Sequence, residues 1–344
     1  MTAPILVWGG GAIGGTLAAY WARAGLDVML VDVVAEHVEA CRTIGLAIEG
    51  PVETFTQRIP AVTPDAVRGT FPIIVLAVKA QATAAAMAAL APRLAADGYV
   101  LSAQNGLNEI AIADVVGAGR TMGCFVNFGA DWLGPGQVLF GNRGAVVVGE
   151  IDGSIRSRTQ AMFELLRVFE PNAVLTDDIW GYLWGKLGYG AMLFATALTM
   201  DSMTGNFEKV ERFPAFDRLG REVMAVARAR GVTPRGFNGF DPAAFMPGAP
   251  VEGSRASVAA LAEFNRYTAK THSGVWRDLA VRRRRTEVDP QIGLIATLGA
   301  QAGIDTPGIR RLVELIHDVE EARRPQAAET FAELVATCRA APPL

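Results

Sequence analysis

Hydrophobic and polar positions alternate in short blocks along the first part of the chain. Apolar runs that stop after a few residues are followed by Ala-rich stretches whose apolar residues recur at helical spacing. The predicted strands are Ile5–Trp8, Val28–Val31, Ile73–Ala77, Tyr99–Ser102, Gly123–Phe128 and Ala145–Val148. The predicted helices begin near Ala12, Ala35, Ala80 and Glu109. This alternation is typical of a doubly wound, mostly parallel sheet that helices cover on both faces.

Four weaker signals complete this part of the chain. Thr54–Pro60 predicts a short antiparallel strand pair, and Asp131–Arg143, which contains a Gly-Pro-Gly sequence, predicts a turn between late strands. Ser154–Phe169 predicts a helix that crosses back over the sheet, and Val174–Thr176 predicts a last short strand.

From Ile179 onward the pattern is helical to the end of the chain. Ile179–Leu198 predicts a long, mostly apolar helix, and interruptions are expected at 235–250, Pro290 and Pro307.

These patterns predict two domains. We place the boundary next to Asp178, whose side chain can cap the following helix. Residues 1–177 are expected to form an α/β domain, and residues 178–344 an all-helical domain that serves substrate binding and dimerisation. A chain of 344 residues is comfortable for two domains.

A glycine cluster follows the first predicted strand and precedes the first predicted helix. Gly9 allows a tight turn, Gly11 lets a pyrophosphate approach the backbone, and Gly14 permits close packing of helix on strand. The N–H groups of Ala12 and Ile13 would meet the phosphates at the helix N-terminus. The arrangement predicts a dinucleotide-binding Rossmann domain; the alternative is a Gly-rich turn that binds another ligand or none.

Asp32 ends the second predicted strand, where an acidic residue accepts hydrogen bonds from the adenosine ribose hydroxyls. Its carboxylate would repel a 2′-phosphate, and no arginine follows it at once. We therefore expect NAD as the cofactor, with NADP less favoured.

Composition narrows the partners. The chain has 32 basic and 35 acidic residues, which argues against a nucleic-acid surface. Its three cysteines and three histidines lack metal-binding spacing, so no metal is expected, and reduced thiols suit the cytoplasm. No signal peptide or membrane span is expected. The large apolar helical half suggests a homodimer.

Two polar residues follow consecutive predicted strands at the edge where doubly wound sheets bind ligands. Lys79 follows the strand at Ile73, and Asn105 follows the strand at Tyr99. Either could be an ordinary exposed residue, Lys79 at a helix start and Asn105 in an Asn-Gly turn. Their joint position favours contacts with the nicotinamide end of a cofactor and with substrate.

Lys186 is the sharpest candidate for catalysis because the stretch around it carries no other charge. A lysine on an apolar helix is usually a snorkelling surface residue. If desolvated, its ammonium becomes a good proton donor to a carbonyl oxygen that gains charge as hydride arrives. Glu287 follows four arginines, 282–285, which we expect to cover every face of a helix.

These fragments resemble the ketopantoate reductase family over nearly the whole chain. Beside the glycine turn, the matching motifs are Val78-Lys79-Ala80, Gln104-Asn105-Gly106, Leu183-Trp184-x-Lys186-Leu187 and Arg285-Thr286-Glu287-Val288-Asp289. The resemblance implies a Rossmann domain joined to a helical domain, a nicotinamide cofactor, and a 2-keto acid substrate in the cleft. It implies that Lys186 is the general acid and that Glu287 binds the substrate hydroxyl and positions the lysine.

The chain also departs from that family. Members that act on ketopantoate typically carry Asn four and eight residues after the lysine, where this chain has Gly190 and Phe194. Their late Ser-Ser pair is replaced by a stretch around Ser273 and Trp276. These changes predict a roomier, more apolar pocket. The candidates for polar contacts that replace the lost ones are Asn127, His272, Ser273 and an arginine of the late helix. The alternative for each is a purely structural role, such as a buried histidine or a helix-facing serine.

The sequence thus predicts an NAD(H)-dependent oxidoreductase that interconverts a hydroxyl and a keto group on a small organic molecule. Carboxylated and aromatic compounds are the candidate substrates, and oxidation is a plausible direction for an NAD enzyme. One alternative is a genuine NADP-dependent 2-dehydropantoate 2-reductase. Another is an NAD-binding sensor without turnover, although a sensor need not keep Lys186 and Glu287.

Overall fold

The structure is a computed structural model that describes residues 3–268 and 270–344. The described chain divides into two compact units, the first ending at Ile179 and the second comprising Trp180–Leu344.

An eight-stranded sheet organises the first unit. Its order is β12-β11-β8-β7-β6-β1-β2-β5, and only β11 runs antiparallel to its neighbour β8 among these described strands. The strands are β1 (Ile5–Trp8), β2 (Val28–Val31), β5 (Ala61–Val62), β6 (Phe71–Leu76), β7 (Leu94–Ser102), β8 (Thr121–Val126), β11 (Val146–Glu150) and β12 (Val174–Leu175). The predicted α/β class is confirmed, and the six main predicted strands lie where the apolar runs placed them.

The central strands β1, β2 and β6 carry no polar side chain because helices or a second sheet cover both faces. Ile5 and Val7 of β1 face one buried cluster, whereas Leu6 and Trp8 face another on the opposite side. The helices of this unit are α1 (Ala12–Arg23), α2 (Ala35–Thr43), α3 (Thr83–Leu90), α4 (Asn108–Val116) and α5 (Ser157–Phe169).

A second sheet has four strands in the order β4-β3-β10-β9. They are β3 (Leu46–Glu49), β4 (Phe55–Gln57), β9 (Gly129–Gly134) and β10 (Gln137–Asn142). β3 and β4 form an antiparallel pair, while β10 pairs parallel with β3. The expectation of a turn over 131–143 was wrong for most of that segment, because only Pro135 and Gly136 separate two paired strands.

The second unit is helical throughout its regular elements. It contains α6 (Ile179–Thr196), which begins at the boundary, α7 (Met203–Glu208), α8 (Phe213–Ala229), α9 (Val251–Arg266), α10 (Gly274–Ala280), α11 (Leu294–Gln301), α12 (Pro307–Glu320) and α13 (Ala328–Ala340). Its largest fully buried side chains include Trp184, Phe216, Phe245 and Phe331.

Two expectations about this unit were wrong. The arginines 282–285 do not lie in a helix, because α10 ends at Ala280 and residues 283–286 have no regular structure. Pro290 does not interrupt a helix, since it lies in a π-helical turn, Asp289–Gly293, that continues into α11. Proline lacks an N–H, and the first turn of a helix has no use for one.

All three cysteines, Cys41, Cys124 and Cys338, are buried, and none of them forms a disulfide. No helix among the described residues is long and apolar enough to cross a membrane.

Candidate functional site

The glycine turn packs tightly against the end of β6. Gly9 has φ +108°, and a Cβ there would lie 2.8 Å from the backbone of Ala77 and Val78. A Cβ on Gly14 would lie 2.1 Å from the Gly9 carbonyl oxygen. Side chains are therefore excluded at both positions, by backbone conformation at Gly9 and by contact at Gly14.

Gly11 differs because it faces open space. A Cβ built there would meet nothing within 4 Å, and α1, which Gly11 precedes, has no side-chain cap. The backbone amides of Ala12, Ile13 and Gly14 start this 12-residue helix, where the macrodipole favours an anion. The turn thus has the donors and the room that a dinucleotide pyrophosphate requires.

The Asp32 carboxylate is fixed at the end of β2. Its Oδ2 accepts a hydrogen bond from the Gly10 N–H at 2.7 Å, and its Oδ1 accepts one from the Val34 N–H at 2.9 Å. A carboxylate oxygen can accept more than one hydrogen bond, so both atoms can still accept from a ribose diol.

A buried polar network links the loops that carry Lys79 and Asn105. Gln104 Nε2 donates to the Val78 carbonyl at 2.9 Å and to Thr83 Oγ1 at 2.8 Å. Thr83 Oγ1 donates to Asn108 Oδ1 at 3.0 Å, and Asn108 Nδ2 donates to the Asn105 carbonyl at 2.8 Å.

Three side chains therefore tie the backbone next to Lys79 to that of Asn105. Lys79 is exposed and Asn105 is half-buried. Sequence reasoning missed Thr83 and Asn108 because nothing local shows that residues 25 apart share a hydrogen bond.

Glu109, the second residue of α4, is completely buried. In the part of the chain that the structure describes, neither carboxyl oxygen has a hydrogen-bond partner, and the nearby Ser102 hydroxyl is also unsatisfied. Burial raises the pKa of Glu109 to about 7. Sequence reasoning missed Glu109, since a glutamate in the first turn of a helix is ordinary.

Lys186 lies on α6, whose glycines allow close packing on one side. A Cβ on Gly185 would lie 2.0 Å from the Arg235 carbonyl oxygen, and one on Gly188 would lie 2.6 Å from the Phe240 ring. The Arg235 N–H donates to the Gly181 carbonyl at 2.8 Å. Lys186 itself is half-buried, so its side chain is neither fully exposed to solvent nor fully enclosed in the core.

Gly190 and Phe194 follow Lys186 at helical spacing and so lie on the same side of α6. A Cβ on Gly190 would meet nothing within 4 Å, so this position borders empty space. Phe194 is 3% exposed, which places its ring within the packing of the unit.

Glu287 lies just before the π-helical turn and is 7% exposed. Its carbonyl accepts the Gln291 N–H at 3.1 Å. The preceding Thr286 is held by Glu320 Oε1, which accepts from both its N–H and its hydroxyl at 2.7 Å. The backbone that carries Glu287 is thus anchored on both sides, and π-helical turns are frequent at functional sites.

The remaining substrate candidates of the second unit cluster at α10. Ser273 is buried, and its Oγ accepts the Trp276 N–H at 3.1 Å, so the hydroxyl caps α10. The His272 and Trp276 rings are in contact, with centroids 4.0 Å apart and planes tilted by 32°. The indole Nε1 of Trp276 is buried and has no partner among the described residues.

Asn127 lies in the first unit, just after β8, and is half-buried. Its backbone N–H donates to the Ala145 carbonyl at 2.9 Å. The structure therefore gives Asn127 a backbone role in pairing and leaves its side chain a prediction.

A cavity of about 580 Å³ in the second unit contains none of these candidates. Two of the arginines in its wall are already paired, Arg218 with Glu222 and Arg221 with Asp217, and the guanidinium of the third, Arg255, lies over the Phe213 ring. We do not place the substrate there. Among the described residues, no group of side chains could hold a metal ion.

Comparison with known families covers both units. The family model described as "Ketopantoate reductase PanE/ApbA" matches residues 5–153. The model described as "Ketopantoate reductase PanE/ApbA C terminal" matches residues 178–320. The chain belongs to the ketopantoate reductase family.

Relatives match over almost the whole chain. A 2-dehydropantoate 2-reductase of Archaeoglobus fulgidus is 29% identical over 317 residues, which is 92% of this chain and 97% of that protein. One of Streptococcus pyogenes serotype M1 is 23% identical over 318 residues, again 92% and 97% of the two chains.

Solved structures show the same fold. A ketopantoate reductase from Ralstonia eutropha JMP134 is 25% identical, with a TM-score of 0.78 over 93% of this chain and 99% of that one. A D-mandelate dehydrogenase, solved with NADH and anilino(oxo)acetate, is 21% identical, with a TM-score of 0.79 and the same coverage.

These relatives are reductases and dehydrogenases that act on keto and hydroxyl groups. The chain is therefore an oxidoreductase of the ketopantoate reductase family that uses a nicotinamide cofactor. The resemblance to this family, drawn from five short motifs, is confirmed.

Proposed function

We propose that this ketopantoate reductase family member uses NAD(H) to interconvert a 2-hydroxy acid and its 2-keto acid, with an acyl group larger and more apolar than that of pantoate. The observation that carries the proposal is the open space at Gly190. There, relatives that act on ketopantoate typically present an asparagine.

The cofactor preference rests on Asp32. Its carboxylate is held by the amides of Gly10 and Val34 at the point where an adenosine ribose would lie. A 2′-phosphate would meet this fixed negative charge, so NADH is expected to bind more tightly than NADPH.

When bound, a nicotinamide cofactor would supply hydride for the carbonyl carbon of the 2-keto acid, or would take it up in the reverse direction. Lys186 donates a proton to the carbonyl oxygen as that oxygen gains negative charge. In the oxidation direction the neutral amine takes the hydroxyl proton. Glu287 accepts a hydrogen bond from the substrate hydroxyl and helps to position Lys186. Asn105 and Lys79 contact the nicotinamide end.

The D-mandelate dehydrogenase of the same fold supports the aromatic version of this substrate class, since mandelate is an aromatic 2-hydroxy acid. Trp276 and His272 together supply an aromatic surface. The indole N–H of Trp276, which has no hydrogen-bond partner among the described residues, can donate to a carboxylate oxygen of the substrate. We also propose a homodimer, as in the dimeric ketopantoate reductase of Staphylococcus aureus.

The test is turnover of NADH with a panel of 2-keto acids by the wild type, Lys186→Ala and Lys209→Ala. Lys186→Ala should lower kcat by about 10² to 10⁴, the usual contribution of a general acid, and leave the NADH dissociation constant unchanged. Lys209 is the matched control, because it pairs with Asp201. Wild-type rates in the Lys186→Ala variant would refute the assignment.

A genuine NADP-dependent 2-dehydropantoate 2-reductase is the second candidate, since the relatives that match 92% of this chain carry that name. Preference for NADPH and 2-dehydropantoate, together with rescue of a pantothenate auxotroph, would favour it. Failure of rescue with clear NADH turnover of aromatic 2-keto acids would exclude it.

A further inference from the structure

His37 is a completely buried histidine that has no place in the proposed chemistry. It is the third residue of α2, and its ring lies where three elements meet: α2 itself, the glycine turn, and the β9–β10 hairpin.

One ring nitrogen faces the hairpin. Nδ1 accepts the Gly136 N–H at 2.9 Å, and the indole Nε1 of Trp132 lies 3.4 Å from it. Because Nδ1 receives these donors, it carries no proton, and the neutral ring must carry its proton on Nε2.

The other nitrogen faces the glycine turn. A Cβ on Gly10 would lie 2.9 Å from His37 Nε2, so the ring packs directly against the turn. Gly10 is also held by Asp32, which accepts its N–H. The middle of the turn therefore packs against the imidazole and is hydrogen-bonded to the carboxylate.

Burial lowers the pKa of His37, and the Asp32 charge and the neighbouring Gly10 backbone oppose this effect. The other titratable group in contact with the ring is Cys41, whose Sγ lies 3.6 Å from Nε2 and whose pKa is raised to about 12 by burial. The hairpin contributes an indole and a backbone amide. His37 is thus neutral at physiological pH, and Asp32 is the charge that acts on it.

We propose that neutral His37 is a positioning residue for the dinucleotide, and that its protonation displaces the ring from its place against Gly10 and weakens cofactor binding. A second proton would sit on Nδ1 and point at two N–H donors, so the ring and the hairpin turn would have to separate. The imidazolium would also attract the Asp32 carboxylate, which is the group expected to hold the ribose. This inference rests on the proposed binding of NAD(H) at the glycine turn.

The test is the NADH dissociation constant, measured by fluorescence between pH 5 and pH 8 for the wild type, His37→Gln and His317→Gln. In the wild type we expect binding to weaken about tenfold from pH 7.5 to pH 5, the effect of a one-unit difference in pKa between free and bound forms. His37→Gln keeps a donor and an acceptor but cannot titrate, so its profile should be flat. His317 lies in the second unit beside Asp289, and His317→Gln should follow the wild type.

A wild-type profile in His37→Gln would overturn the inference and leave the proposed function intact. Failure of the wild type to bind NADH at any pH would overturn the proposed function and this inference together. If His37→Gln does not fold by circular dichroism, Trp132→Phe decides. This variant removes one donor facing Nδ1, which eases protonation, so affinity should begin to fall at a higher pH than in the wild type. An unchanged profile in Trp132→Phe would count against the proposal.

Discussion

At the scale of single residues, the proposed substrate preference rests on the side chain that is absent at position 190. α6 carries Lys186 and Gly190 on one side, and the space beside Gly190 is empty. A hydrogen-bonding side chain there would bind a small hydroxy acid more tightly and would sterically exclude a large apolar one.

Gly190→Asn should therefore shift preference toward 2-dehydropantoate. One new hydrogen bond is worth about 1 kcal/mol, so kcat/KM for 2-dehydropantoate relative to an aromatic 2-keto acid should rise about fivefold or more. The measurement is steady-state kinetics with both substrates. Gly190→Ala is the matched control, because it adds bulk without a polar group. Equal ratios in the two variants would show that position 190 does not contact substrate.

Glu109 is a residue that should limit stability at neutral and basic pH. Its folded pKa, about 7, lies above the ordinary value of 4.5, so the folded state binds this proton more tightly than the unfolded state. The stabilisation is complete below the unfolded pKa and is lost as pH rises toward 7.

Glu109→Gln imitates the protonated form at every pH. At pH 8 we expect this variant to be more stable than the wild type, by up to about 3 kcal/mol, and at pH 4.5 the two should be nearly equal. Urea denaturation at the two pH values measures the difference. Glu36→Gln, at an exposed position of α2, should change stability by less than about 1 kcal/mol at either pH. A pH-independent effect of Glu109→Gln would contradict the assigned cause.

At the scale of elements, α6 is held by contacts that only glycine allows. Gly185 meets the Arg235 backbone, and Gly188 meets the Phe240 ring. The helix tolerates these residues despite their low propensity because close approach of the 235–240 segment replaces the missing side chains.

Gly185→Ala should therefore destabilise the protein, since its Cβ would lie 2.0 Å from a carbonyl oxygen and the backbone would have to move. We expect a loss of about 2 kcal/mol or more. Gly190→Ala, one and a half turns along the same helix, should instead gain about 0.5 to 1 kcal/mol from helix propensity. Thermal melts of both variants make the comparison, and equal melting temperatures would refute the packing argument.

The sequence predicted elements well where the signal is local. β1 and β2 have the predicted bounds, and α1 and α2 begin where the glycine turn and Ala35 placed them, because apolar runs and turn residues lie next to each other in the chain. The second sheet was largely missed. Its parallel pairing of β3 with β10 joins residues 90 positions apart, such as Ala47 and Gln137, and no local pattern reports such a partner.

The candidate site divides in the same way. Gly9, Gly14 and Asp32 could be read from spacing, because each follows from the chemistry of a strand-turn-helix unit. Thr83, Asn108 and His37 could not, since their importance depends on which loops the sheet brings together. The prediction of a helix over the arginines was wrong. Asp278 of α10 binds Arg282 and Arg284, and these ion pairs hold the segment close to the end of that helix.

At the scale of the whole molecule, the two compact units should respond differently to the cofactor. NADH is expected to bind through the glycine turn of the first unit, and a ligand at 100 times its dissociation constant stabilises the state it binds by about 2.7 kcal/mol.

Calorimetry with and without NADH should therefore show one transition that shifts and one that stays within about a degree. Lys186→Ala should give the same pattern, because the role proposed for this lysine is in proton transfer with the substrate. A single transition that moves as a whole would show that the two units unfold together.

The burial of Cys41, Cys124 and Cys338 has a practical consequence for solution work. Burial also raises the pKa of Cys41 and Cys338 to about 12, so in the folded chain these two are neither accessible nor ionised. A thiol reagent can react with them only after the surrounding structure opens. The rate of labelling then measures how often the structure around each thiol opens. Because Cys41 and Cys124 lie in the first unit and Cys338 in the second, peptide mapping of the labelled sites would time the opening of each unit separately.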